Sequence, residues 1–150
     1  MRSEVVAESR SWIGTPYHRR AFIKGVGVDC GLLPYAVYRK FELIPEFTAE
    51  WLANDWFANT TQERYLLMIE RYLKKLFVTQ ARRDFRPEFL PGNLVVAKVF
   101  DSPVFNHAGI ITTWPRVVHA VPDCVSEVDA AADPAWAGRV IAVFDIGLPA

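Results

Sequence analysis

Gly25-Val26-Gly27-Val28-Asp29-Cys30, followed by Gly31 and the apolar run Leu32-Leu33-Pro34-Tyr35-Ala36-Val37-Tyr38, decides how this chain is read. The glycines loosen the approach, and the apolar run reads as a buried helix. A single thiol is therefore delivered to a helix start. The macrodipole and unpaired N–H groups of a first turn favour negative charge, so Cys30 is expected to have a lowered pKa and to exist partly as thiolate, the form that attacks. Pro34 is tolerated only within a first turn, where its missing N–H has no partner to lose, which puts the helix start at or just before Cys30. The helix is expected to run to about Phe41, with Ile44-Pro45 ending it. His107 and His119 are the only histidines besides His18, and each sits in an apolar run with strand character. One cysteine with histidines distant in sequence is the pattern of cysteine-dependent acyl transfer. The same residues also admit a plainer reading, as an inert buried thiol and satisfied core histidines.

Composition narrows the setting. With 150 residues the chain is long enough for about one domain with a sizeable core. A hydrophobic content of 51% against 23% charged residues argues for a folded globule rather than disorder. The 17 Lys+Arg balance the 17 Asp+Glu, leaving no broad electrostatic reason to expect nucleic acid or an anionic membrane surface. Arg19-Arg20 and Arg82-Arg83 read as solvated surface. Cys30 and Cys124 do not make a disulfide framework, and Cys124, after Pro122-Asp123, reads as a loop or strand-end thiol. Cys30, His107, His119 and Cys124 lack the short paired spacing of a structural zinc site, so no metal and no cofactor is expected. The N-terminus carries acidic residues where a secretory signal needs an apolar core, and no run approaches the ~18 apolar residues of a membrane span. Synthesis in the cytoplasm without a signal peptide is expected, with any export by another route.

Residues 2–13 carry Val5, Val6, Ser9 and Trp12-Ile13 at near-helical spacing, and Gly14-Thr15-Pro16 stops the helix. From about 48 to 79 the reading is again helical, with Tyr65, Ile69, Tyr72 and Leu76 on one apolar face and Trp51, Trp56 and Phe57 nearby. After Arg86-Pro87 the character changes. Leu94–Val99, His107–Thr112, Arg116–Ala120 and Arg139–Phe144 are short β-branched runs separated by Pro, Gly, Asp or Asn, and they read as an antiparallel meander. Helices first and strands later predict an α+β domain spanning 1–150.

Five segments, in order, resemble the NlpC/p60 cysteine peptidases, papain-like enzymes of bacterial cell-wall turnover. Trp12-Ile13-Gly14-Thr15-Pro16-Tyr17 is similar to the family's W-x-G-T-P-Y opening, and Gly27-Val28-Asp29-Cys30 to its G-x-D-C nucleophile motif. Leu90-Pro91-Gly92-Asn93-Leu94-Val95 resembles P-G-D-L-V, Asn106-His107-Ala108-Gly109-Ile110 resembles the H-V-G-I segment, and Val118-His119-Ala120 the strand with a second histidine. The resemblance implies a papain-like fold with Cys30 as nucleophile, His107 as base, His119 as the polar group orienting it, and Tyr17 near the oxyanion site. It implies cleavage of peptidoglycan stem peptides between D-glutamate and the following diamino acid. Gly31-Leu32-Leu33-Pro34 departs from the usual Ser-Gly-Leu-Val, and Asn93 stands where the family has aspartate. The long segment 48–79 is similar to the enlargement in phage and gene-transfer-agent members that open the cell wall from a tail tip, so other tail proteins are expected partners. A catalytically silent docking module of a tail, and an amidase or acyltransferase using the same Cys–His pair, are the competing expectations.

Overall fold

The computed structural model describes residues 1–46 and 62–150. The first helix, α1 (Arg2–Ser11), buries Val5, Val6, Glu8 and Ser9. It ends where Gly14 takes φ 89°, a left-handed conformation that glycine adopts without a Cβ clash. A short hairpin of β1 (Phe22–Ile23) and β2 (Gly27–Val28) then leads to α2 (Leu32–Lys40). Asp29 caps α2: its Oδ1 accepts the Leu32 N–H at 2.9 Å and its carbonyl accepts the Leu33 N–H at 3.1 Å. Cys30 and Gly31 thus form the turn between cap and helix. Pro34 is the third residue of α2 and follows the Leu33 N–H that makes the first i→i−4 bond, to Asp29, so the bond it cannot donate is the next one, to the Cys30 carbonyl.

The remaining elements are α3 (Arg64–Glu70), β3 (Lys74–Gln80), β4 (Leu94–Ala97), β5 (His107–Thr113), β6 (Arg116–Ala120), β7 (Val125–Asp129) and β8 (Val140–Asp145). The six long strands form one antiparallel sheet in the order β3-β8-β4-β5-β6-β7. The architecture is α+β, with the Cys30-bearing turn at a helix start packed on an antiparallel sheet, as expected from the sequence. The expected strands beginning at Leu94, His107, Arg116 and Arg139 correspond to β4, β5, β6 and β8.

The helical insertion expected over about 48–79 is corrected by the structure. Among the described residues of that range, helix covers Arg64–Glu70, and Lys74–Gln80 is a strand paired with β8. Tyr65 and Ile69 are buried on one helical face, but Tyr72 lies beyond the helix and Leu76 packs in a different core. Leu76-Phe77-Val78-Thr79 is rich in strand-forming residues, and a free edge of the sheet overrides a weak local helical period. Trp51, Trp56 and Phe57, which belonged to the same expectation, lie outside the described residues.

The sheet separates two apolar cores, and residue alternation along each strand assigns side chains to one or the other. On the helical side Leu94, Val96, Ala108, Ile110, Val118, Ala142 and Phe144 meet Val5, Leu32, Leu33, Val37 and Tyr38. On the other side Val95, Ala97, Ile111, Val117, Ile141 and Val143 meet Phe89, Trp114, Ala130 and Trp136. Burying each such large aliphatic side chain is worth roughly 1.5–3 kcal/mol.

Candidate active site

Cys30 is half-buried and packs at the margin of the helical core. Its Sγ lies 3.8 Å from the Asn106 carbonyl oxygen, and the N–H groups of Ala108, Cys30 and Gly31 also face it. The thiol is thus seated against the start of β5, the strand that carries His107. Asn106 holds that corner: its side-chain Oδ1 accepts the Val99 N–H at 2.8 Å and its Nδ2 donates to the Val99 carbonyl at 3.0 Å. This buried amide staples the β4–β5 connection and leaves its own backbone carbonyl aimed at the thiol. Tyr17 joins the same corner, with its hydroxyl a hydrogen-bond partner of the thiol.

The electrostatics reverse one expectation from the sequence. Burial pushes the Cys30 thiol up to about 12, and the neighbouring Asp29 carboxylate pushes in the same direction. The three facing N–H groups oppose this without prevailing. Asp29 is itself held above the usual carboxylate range by burial, against the N–H groups of Leu32, Arg20 and Gly31. Burial, together with Cys30 and Asp29, keeps the Tyr17 hydroxyl protonated beyond its ordinary range. A helix start was expected to depress the thiol pKa; desolvation outweighs it here.

His107 and His119 are brought together. The pairing of Gly109 with His119 across β5 and β6, and strand alternation from Gly109 to His107, put both rings on the face opposite the helices. His107 Nε2 lies 2.9 Å from His119 Nδ1, with the rings 5.2 Å apart edge to face. Both are buried, at 6% and 1% exposure. Burial first, and then His119, drives His107 down to about 3, while burial drives His119 down to about 4 against the opposing Asp133 carboxylate. At neutral pH both rings are neutral. Cys30 therefore approaches the start of β5 from the helical face while the His107 ring lies on the opposite face, and among the described residues the thiol's hydrogen-bond contacts are with backbone and Tyr17 rather than the ring.

Two contributors were not singled out from the sequence. Asn106 carried no signal beyond its place before His107. Trp136 is fully buried, and its indole N–H donates to His119 Nδ1 at 3.0 Å. A tryptophan in an Asp-Pro-Ala-Trp loop gives no hint of a partner 17 residues upstream. His18 is exposed and Cys124 is a half-buried free thiol just before β7.

No model of a known protein family matches the sequence, and no curated protein does. Solved structures do match. The NlpC/p60 domain of the peptidoglycan hydrolase SagA superposes with a TM-score of 0.56 at 17% identity, over 95% of this chain and 97% of that one. An NlpC/p60 family protein from Bacillus cereus ATCC 10987 superposes with a TM-score of 0.60 at 15% identity, over 99% of this chain and 41% of that one. The chain has the NlpC/p60 fold. Within that fold, the asparagine at 93 has a structural task. Its Oδ1 accepts from Arg2 at 2.8 Å, its Nδ2 donates to the Glu88 carbonyl at 3.1 Å, and its backbone carbonyl accepts the Ile111 N–H at 2.9 Å. Leu32, one of the positions where the resemblance departs, fills the helical core of this NlpC/p60 fold at 1% exposure, beside Leu33 at 0%.

Proposed function

We propose that this chain is a cysteine peptidase that hydrolyses amide bonds in peptidoglycan stem peptides, cutting between D-glutamate and the diamino acid that follows. The observation that carries the reading is the seating of Cys30 at the cap of α2 against the strand bearing His107, in the NlpC/p60 fold. In this reading the resting pair is a neutral thiol and a neutral imidazole. As Sγ bonds to the scissile carbonyl carbon, the thiol proton moves to His107, and the carbonyl electron pair becomes an oxyanion near the Cys30 N–H and the Tyr17 hydroxyl. Collapse expels the amine, which takes the proton from His107, and leaves a thioester on Cys30. Water, deprotonated by His107, attacks that thioester and releases the acid and the thiol. His119 orients the ring of His107 throughout.

The finer assignments are part of the same proposal: the chain acts on the cell wall as a tail-borne component of a phage or gene-transfer agent, docked to other tail proteins and made in the cytoplasm. Replacing Cys30 by Ala should abolish cleavage of purified stem peptide while circular dichroism and melting stay unchanged. Retained cleavage would sink the proposal. A second reading, a catalytically silent docking module, is favoured by the thiol pKa being pushed up rather than down. It predicts no cleavage by the unmodified chain, and no trapped thioester on brief mixing with stem peptide.

A further inference from the structure

The nitrogen His119 Nδ1 has two neighbours: Trp136 Nε1 at 3.0 Å and His107 Nε2 at 2.9 Å. An imidazole nitrogen offers in the ring plane either one lone pair or one N–H, never both. The indole of tryptophan can only donate. His119 Nδ1 therefore carries the lone pair, and its proton is on Nε2. His107 Nε2, facing that lone pair, must bring the hydrogen, because two lone pairs at this distance would repel. A neutral His107 protonated at Nε2 has its free electron pair on Nδ1. We propose that Trp136 is a positioning residue that, through His119, fixes His107 in the tautomer whose Nδ1 can accept a proton.

This inference rests on the peptidase reading only for its kinetic consequence; the proton placement follows from donor chemistry. The fold is arranged to hold the indole there. Asp133 Oδ1 accepts the Ala135 N–H at 2.9 Å and the Asp133 carbonyl accepts the Trp136 N–H at 3.0 Å, making the turn that turns the ring inward. Residue 109 is a glycine, and a Cβ there would stand 3.1 Å from Trp136 Cζ2. The absent side chain is the space the indole occupies. The ring centroid lies 5.0 Å from that of His107 and 5.9 Å from that of His119, so it walls both imidazoles from water that could serve as a competing donor or acceptor. His119 thereby does, as a neutral acceptor, what a carboxylate does in a serine triad: it accepts from the base and stabilises the imidazolium that forms.

Trp136→Phe keeps the aromatic packing and removes only the N–H. The test is a two-bond proton–nitrogen correlation spectrum of the histidine rings in the full chain at neutral pH, recorded for the unmodified protein and the variant, alongside kcat and KM on stem peptide. Expected in the unmodified protein are Nε2–H tautomers at both His107 and His119. In Trp136→Phe, His119 should partly acquire a proton on Nδ1, His107 should shift towards the Nδ1–H form, and kcat should fall by roughly tenfold or more with KM little changed. A proton on His119 Nδ1 in the unmodified protein overturns the proposal, and this spectrum decides even if the variant does not fold. Unchanged tautomers in the variant, or an unchanged kcat despite altered ones, also overturn it by confining Trp136 to packing. An unmodified protein without hydrolysis but with Nε2–H at both rings would defeat the peptidase reading and leave the tautomer assignment standing.

Discussion

The two ends of the candidate site are built on opposite principles. The thiol end lies at the margin of the helical core, half-buried, among backbone N–H groups, a tyrosine hydroxyl and a half-buried carboxylate. The imidazole end is enclosed, with His107, His119 and Trp136 exposed by 6%, 1% and 0%. Desolvation acts on both and in both cases favours the neutral form, raising the acid and lowering the base. Burial thus stores no ion pair at rest. It keeps two neutral groups near one strand end; in the proposed peptidase reading, charge develops only as the thiol attacks a bound substrate.

The sharpest test of that comparison separates the two ends. His107→Ala should reduce stem-peptide hydrolysis by on the order of a thousandfold or more. Alkylation of Cys30 by iodoacetamide at pH 7 should hardly change, since the thiol is neutral with or without the ring. A large change in alkylation would mean that the two ends already share a proton at rest.

The imidazole end should also dominate acid sensitivity. His107 and His119 bind protons more weakly in the fold, at about 3 and about 4, than in the unfolded chain at 6.5. Between those values the unfolded chain holds more protons, so stability is complete above about pH 6.5 and falls as pH drops towards 3, by several kcal/mol in all. Thermal melts from pH 7.5 to 4 measure this, and His119→Gln should flatten the slope. An unchanged slope would mean that His119 is not the group titrating.

Packing around the same rings gives a smaller effect. Gly109→Ala sets a methyl 3.1 Å from both Trp136 Cζ2 and the Val118 carbonyl oxygen and should cost about 1–3 kcal/mol in denaturant melts. At the thiol end, Asp29→Asn removes the carboxylate that pushes the thiol pKa up, so the pH midpoint of Cys30 alkylation should move down. The variant keeps one acceptor where Asp29 uses two, for Leu32 and Arg20, so a loss of about 1 kcal/mol accompanies it. Lys75→Ala, which breaks a partly exposed pair with Glu70 far from either end, should change stability by less than about 0.5 kcal/mol.

Much of this architecture is legible in the chain before folding. The α+β order, the helix beginning beside Cys30 and the strands carrying His107 and His119 all follow from patterns within a few residues: apolar periodicity, a proline near the helix start, and β-branched runs between breakers. Local backbone preferences act over that same range, which is why the reading succeeds there. It failed where partners distant in sequence decide. Lys74–Gln80 became a strand because β8 offered an edge, and the thiol pKa rose because α2 packs it against β5. Trp136 acquired a hydrogen-bond partner because Gly109 leaves room for its ring. Desolvation and hydrogen bonding depend on which surfaces meet, and that is settled by tertiary packing rather than by the spacing of residues along the chain.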